Sequence, residues 1–229
     1  MTAPEIVPTT ADTSWIRSLG GCFIVFDGPD GSGKSTQFRR FADVARAAGV
    51  DVVEVREPGG TAIGEKVRAI LLDPANAEMT TRSEMLLYMA SRAQLYEQRI
   101  APAIATGALV LADRFISSTL AYQGTAGGID EEEILAVGKV ATGNHWPDLT
   151  VVFDVDTAVA MNRLSPLLDR MEQKGFDFHA RVRSGYLAQA ERWSHRYAVV
   201  NSSVAPDAVT NGLLGAIQTW MSKQRLPRS

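Results

Sequence analysis

Phe23-Ile24-Val25-Phe26-Asp27-Gly28-Pro29-Asp30-Gly31-Ser32-Gly33-Lys34-Ser35-Thr36 decides how the rest of the chain is read. The apolar run is a buried strand that ends at Asp27. Gly28 to Ser35 then fits the spacing of a phosphate-binding loop, a glycine, four residues, and Gly-Lys-Ser. Glycines allow a tight turn whose backbone N–H groups face one anion, and a helix starting near Lys34 aims the positive end of its dipole at the same point. Lys34 reaches the β- and γ-phosphates of a nucleoside triphosphate, and the Ser35 hydroxyl is a Mg²⁺ ligand. Strand, loop and helix arrive in the required order, which a chance Gly/Ser turn would not explain.

Outward from this loop, strands and helices alternate. The spacing predicts helices over Gln37–Ala48, Ala62–Leu72, Thr81–Ala105, Glu131–Thr142, Ala158–Leu164, Arg181–Ser194 and Ala208–Met221. Strands are expected at Asp51–Val55, Ala108–Ala112, Leu149–Val155 and Tyr197–Val200. Pro102 should kink or end the longest helix, whose core stripe reads Met85, Leu86, Met89, Ala93 and Leu95. Strands apolar on both faces imply an α/β, three-layer phosphate-loop NTPase fold, a parallel sheet of about five strands with helices on both faces. Ligands in such sheets sit at the carboxyl ends of the strands. The loops at Asp27–Ser35, Arg56–Thr61 and Asp113–Gly124 all follow strands, so they should converge on one crevice.

The chain has 229 residues, 45% of them apolar, which suits one domain with a short lid. Met1–Gly21 reads as a flexible extension partly docked through Trp15 and Ile16, 22–222 as the phosphate-loop domain with a lid at about 163–178, and 223–229 as a tail. A net charge of −3 gives no global field for nucleic acid or an anionic membrane, and no apolar stretch is long enough to span a bilayer. The single cysteine, Cys22, rules out a disulfide framework and points to a reducing, cytoplasmic setting. His145, His179 and His195 have no metal or triad spacing and read as structural.

An anionic acceptor must then be held by local cations. Arg56, Arg68, Arg92 and Arg114 lie on or just beyond the converging loops, and guanidinium matches phosphate bidentately. The set suits an enzyme that holds a second phosphate as acceptor. Taken alone, Tyr88 beside Met85 and Met89 reads as core, Arg92 as a solvated helix charge, and Arg56 as a partner for Glu57. Asp113 reads equally as a helix cap or a Mg²⁺-water ligand.

Three blocks together resemble the thymidylate (dTMP) kinases. The first is Phe26 to Thr36. The second is Arg56-Glu57-Pro58-Gly59-Gly60-Thr61 with Gly64-Glu65-Lys66-Val67-Arg68, and the third is Asp113-Arg114-Phe115-Ile116-Ser117-Ser118-Thr119-Leu120-Ala121-Tyr122-Gln123-Gly124. The likeness runs from about Phe23 to Tyr186. It implies transfer of the γ-phosphate of Mg-ATP to dTMP in a homodimeric enzyme. ATP phosphates would lie on Gly28, Pro29, Asp30, Gly31, Ser32, Gly33, Lys34, Ser35 and Thr36, with Ser35 and Asp113 at the metal. For dTMP, the resemblance puts Asp30 under the 3′-OH, Tyr88 on the thymine face, Arg92 at O4, Thr119 and Gln123 on the N3 side and Tyr122 against a 2′-OH. Arg68 and Arg114 would take the acceptor phosphate, and Glu57 joins the same pocket.

One departure stands out. Members of this family neutralise the transferred phosphate with an Arg in the loop or several in the lid, and here the loop position after Asp30 is Gly31. The lid offers Arg163 and Arg170, with Lys174 further along, so the catalytic set expected is Lys34, Arg114, Asp30 and Arg163 or Arg170. That poverty of arginine keeps open a catalytically silent nucleotide-binding homologue, alongside a kinase of another pyrimidine nucleoside monophosphate.

Overall fold

The computed structural model describes residues 13–164 and 168–224. Ser14–Leu19 forms a 3-10 turn whose Ile16 and Leu19 are fully buried in the main core. Residues 14–19 thus pack onto the folded body, with Ile16 among the docking residues expected. Residues 1–12 of the expected extension and 225–229 of the expected tail lie outside the described residues.

In chain order the body comprises β1 (Phe23–Asp27), α1 (Lys34–Ala47), β2 (Val52–Arg56), α2 (Ala62–Leu72), α3 (Thr81–Leu95), α4 (Ala101–Ala105), β3 (Leu109–Asp113) and α5 (Ile116–Thr119). It continues with α6 (Glu131–Thr142), β4 (Leu149–Asp154), α7 (Thr157–Asn162), α8 (Phe176–Arg192), β5 (Tyr197–Asn201) and α9 (Pro206–Gln224). The sheet is parallel throughout, in the order β2-β3-β1-β4-β5.

Side-chain alternation along β1 explains why both faces are covered. Ile24 and Phe26 face the layer of α1 and α9, while Phe23 and Val25 face the layer of α3, α4 and α6. β3 divides in the same way, Leu109 and Leu111 to one side and Val110 and Ala112 to the other. Because β2, β3 and β1 are adjacent and parallel, the loops that leave their carboxyl ends start side by side. Phe26 pairs with Asp113 and Arg56 with Asp113 in register, which sets the origins of all three loops at one level.

Several elements differ from expectation. The stretch expected as one helix over Thr81–Ala105 is α3, a π turn at Tyr96–Ile100, and α4 with Pro102 in its first turn. Proline has no N–H to give and crowds the preceding turn, and the widened π turn absorbs both. Leu86, expected in the core, is 50% exposed, because the inward face of α3 is given to Glu84, Met85, Met89, Ser91, Arg92 and Leu95. Helix α8 begins at Phe176 rather than Arg181, behind Gly175 at φ +81°, so it takes up the end of the expected lid. Ser165, Pro166 and Leu167 of that lid fall outside the described residues.

Candidate active site

The loop after β1 is shaped by its glycines. Gly31 (φ +75°) lies so close to the Ala160 carbonyl on α7 that a Cβ could not fit, and Gly33 (φ +78°) caps α1 with open space beside it. Lys34 starts α1, is buried, and forms an ion pair with Asp113 at the end of β3. Pro29 is buried, whereas Ser35 and Thr36 are exposed.

A cavity of about 250 Å³ joins this loop to the other two. Its lining includes Asp30, Lys34 and Ser35 from the first loop, and Arg56, Glu57 and Arg68 from the second block. Tyr88 comes from α3, and Asp113, Arg114, Thr119, Tyr122 and Gln123 from the third block. The candidate phosphate-handling groups Lys34 and Arg114 thus share one space, as convergence of the loops requires. Ser35 and Asp113 both open onto it, an oxygen set suited to Mg²⁺ with water in the remaining positions.

Arg114 is the centre of a second polar cluster on the cavity. Its backbone has φ +71°, a left-handed conformation that costs a non-glycine residue about 1–2 kcal/mol. Its N–H bonds the Phe26 carbonyl at 3.0 Å. The guanidinium pairs with Asp30, donates to Ser118 Oγ at 3.0 Å and to the Tyr186 hydroxyl at 3.1 Å, and lies 5.3 Å from the Tyr122 ring. Burial alone would raise the Asp30 carboxyl, but the Arg114 charge and a 2.7 Å bond from the Tyr122 hydroxyl hold it below its ordinary value. Burial, joined by neighbouring carboxylates, pushes the Tyr122 and Tyr186 phenols far up, so both remain donors.

Beneath this group sits Asp27, fully buried at the end of β1. It accepts from Gly28 N–H (2.9 Å), Ser117 Oγ (2.6 Å), Ser118 Oγ (2.8 Å) and Tyr186 (2.6 Å), and lies 3.4 Å from Arg114. A single carboxylate therefore ties the phosphate loop to the Arg114 segment and to α8. Asp27, Ser118 and Tyr186 escape sequence reasoning. An acidic residue closing an otherwise apolar strand is a usable signal for the first, but no spacing flags a tyrosine 159 positions away.

The remaining arginines are placed unevenly. Arg68 is half-buried, donates to the Pro58 carbonyl at 3.0 Å and opens onto the cavity. Arg56 pairs not with Glu57 but with Glu65 at 2.9 Å. Arg92 is 1% exposed and stands behind the cavity wall, gripped by Glu57 (2.6 Å) and contacting Thr119 Oγ1 (3.2 Å). Burial outweighs that guanidinium at Glu57 and pushes its carboxyl up to about 7. Tyr88 is half-buried and faces the cavity, and burial followed by the Glu84 charge pushes its phenol up.

In the lid, Arg163 is exposed and donates to the Ser202 carbonyl (3.2 Å) and to the Gly31 carbonyl of the phosphate loop (3.5 Å). Arg170 is elsewhere, 7% exposed, bound to Glu84 at 2.6 Å and to the Leu71 carbonyl at 2.7 Å. The buried carboxylate of Glu84 captures it, so only one of the two expected cations stands at the loop. His145 stacks on Tyr96 at 5.7 Å and His179 approaches the Glu172 carbonyl at 3.3 Å.

A phosphate loop and a guanidinium-lined acceptor cavity at the carboxyl ends of a parallel sheet define a nucleotide phosphotransferase of the nucleoside monophosphate kinase type. Comparison with known proteins narrows this. The thymidylate kinase family profile matches residues 26–212. Thymidylate kinases of Geobacillus sp. and Pelotomaculum thermopropionicum are 41% and 44% identical over 203 residues, 87% of this chain in each case and 97% and 94% of theirs. A crystal structure of thymidylate kinase from Ehrlichia chaffeensis superposes with TM-score 0.71 at 34% identity, covering 87% of this chain and 99% of that one. The chain belongs to the thymidylate kinase family.

Proposed function

We propose that the Gly28–Thr36 loop holds ATP while Asp30, Arg68, Tyr88, Arg114, Thr119, Tyr122 and Gln123 hold dTMP, so that phosphate crosses the cavity between Lys34 and Arg114. The reaction itself follows from family membership, and the protein is an ATP:dTMP phosphotransferase giving dTDP and ADP. The observation that carries the division of roles is the shared cavity of Lys34 and Arg114.

The acceptor phosphate is already ionised at neutral pH, so the chain needs to position it and neutralise charge rather than supply a strong base. Arg114, held by Asp27 and Asp30, presents its guanidinium without reorganisation, and Arg68 adds a second cation. Asp30, kept ionised beside Arg114, accepts a sugar hydroxyl. Mg²⁺ would be held by Ser35 and, through water, by Asp113, and bound there it offsets charge on the donor phosphates. Arg163, beside the Gly31 carbonyl, is the lid cation we assign to the transferred phosphate. Arg170 and Arg92 act from behind the wall.

Exposed Ile63, Ile70, Leu86 and Val140 on α2, α3 and α6 support a homodimer built on those helices. Among the described residues no helix is long and apolar enough to cross a membrane. Burial, with the Asp148 charge nearby, pushes the Cys22 thiol up to about 11, which keeps it unreactive and suits a cytoplasmic setting.

ADP release measured across dTMP, dUMP, UMP, CMP and AMP tests the assignment. Turnover should be greatest with dTMP, and comparable turnover of AMP would remove the thymine reading. Binding of ATP and dTMP without turnover would instead mark a silent homologue.

A further inference from the structure

Building on that reading, we infer that Glu84, which does not line the cavity, sets the hydrogen-bond sense of the base wall and thereby its preference for thymine over cytosine. Glu84 lies on α3 one turn before Tyr88 and two turns before Arg92, so the three share a face. It is fully buried. One carboxylate oxygen accepts from Gln123 Nε2 at 2.6 Å, and the other meets Arg170 at 2.6 Å and Lys174 at 3.2 Å. With both oxygens engaged by donors, two of them cations, the carboxylate serves there as an acceptor. Gln123 can therefore turn only its NH₂ toward Glu84, which orients the amide by chemistry alone. Its Oε1 has no protein donor among the described residues, and Gln123 lines the cavity. The base meets an acceptor there.

Thr119 is set in the opposite sense. Its Oγ1 lies 3.2 Å from both Nη1 and Nη2 of Arg92, a group that only donates. The oxygen is occupied as an acceptor, and no acceptor among the described residues takes the hydroxyl proton, which is left to donate into the cavity. Thymine offers a 4-keto acceptor beside an N3–H donor, matching a donor at Thr119 and an acceptor at Gln123. Cytosine offers a 4-amino donor beside an N3 acceptor, the reverse pattern. Buried charges behind the wall, Glu84 for one group and Arg92 for the other, write this code. Glu84 is a positioning residue, acting through Gln123.

The test compares kcat/KM for dTMP and dCMP in the wild-type full chain and in Glu84→Gln, with Tm measured for both. A neutral amide at 84 can donate as well as accept, which frees Gln123 to turn over. The dTMP/dCMP preference should fall by about 10-fold or more, an effect that loss of packing alone would not produce. An unchanged ratio, with both substrates slowed equally, overturns the inference. Should Glu84→Gln fail to fold, Gln123→Leu decides. It should raise KM for dTMP by about 10-fold and spare dCMP, and an unchanged ratio again overturns the proposal. A wild-type enzyme that ignores dTMP would instead defeat the functional reading on which this rests.

Discussion

On the proposed reading, the phosphate loop and the base wall would hold the two halves of one reaction by different means. Residues 28–36 would grip an anion with consecutive backbone N–H groups, and their conformation follows from glycines such as Gly31 and Gly33 placed in the same short run. The base wall is assembled from Glu57 in a loop, Glu84 and Arg92 on α3, Thr119 on α5 and Gln123 in the turn that follows. Its groups are fixed by buried ion pairs rather than by the backbone. A backbone site is local and tolerates distant change, whereas a side-chain site inherits the fate of every element that supports it.

If that contrast holds, damage to the loop should stop chemistry and leave acceptor binding alone. Lys34→Met should lower kcat by about 10³-fold, since cations on the transferred phosphate carry rate effects of that order. Calorimetric dTMP affinity should stay unchanged, and a parallel loss of affinity would show that the two halves are not separable.

The lid arginines sharpen the same division. Arg163→Ala should slow turnover by about 10–100-fold with Tm unmoved, because Arg163 is exposed and touches the loop. Arg170→Ala should lower stability by about 3 kcal/mol, because it strips the buried Glu84 of its nearest cation. Steady-state kinetics and thermal melts separate the two, and intact turnover in both variants would break the lid assignment.

Asp27→Asn tests whether the acceptor side depends on its buried hub. The amide keeps the shape but turns an NH₂ toward donors, so we expect a loss of about 1–3 kcal/mol in denaturant unfolding. KM for dTMP should rise while KM for ATP holds.

A last test is a pH slope. The Glu57 carboxyl, raised by burial from 4.5 to about 7, binds a proton in the folded protein that the unfolded chain has already lost. Its contribution to stability is complete below pH 4.5 and disappears as pH rises through 7. Glu57→Gln should remove that decline, so the wild-type protein loses stability relative to the variant between those values in pH-dependent unfolding.

Legibility follows the same line. Helices α2 and α6 were readable residue by residue and the strands of the parallel sheet to within one residue, because apolar periodicity and Gly or Pro punctuation are local signals. Lys34 and Arg114 were singled out by local signals too, Lys34 by the loop motif that opens α1 and Arg114 by its place directly after β3. Tyr88 read by itself as core, yet it faces the cavity; Arg92 read as a surface charge, yet it is buried. Both misreadings have one cause, that the inward face of α3 is polar where it runs under the converging loops. The stripe Glu84, Tyr88, Arg92 was present at four-residue spacing, but its meaning depends on Glu57, Thr119 and Gln123 across the fold.

From the order of residues alone came the fold class, the nucleotide loop and the family likeness, since each rests on neighbours in the chain and on backbone preferences that neighbours dictate. Only the folded arrangement could show that Asp27 binds Tyr186, that Arg170 serves Glu84, and which way Gln123 faces. Those contacts join groups up to 159 positions apart. In a dry interior the placement of one charge dictates the protonation and orientation of whatever it touches.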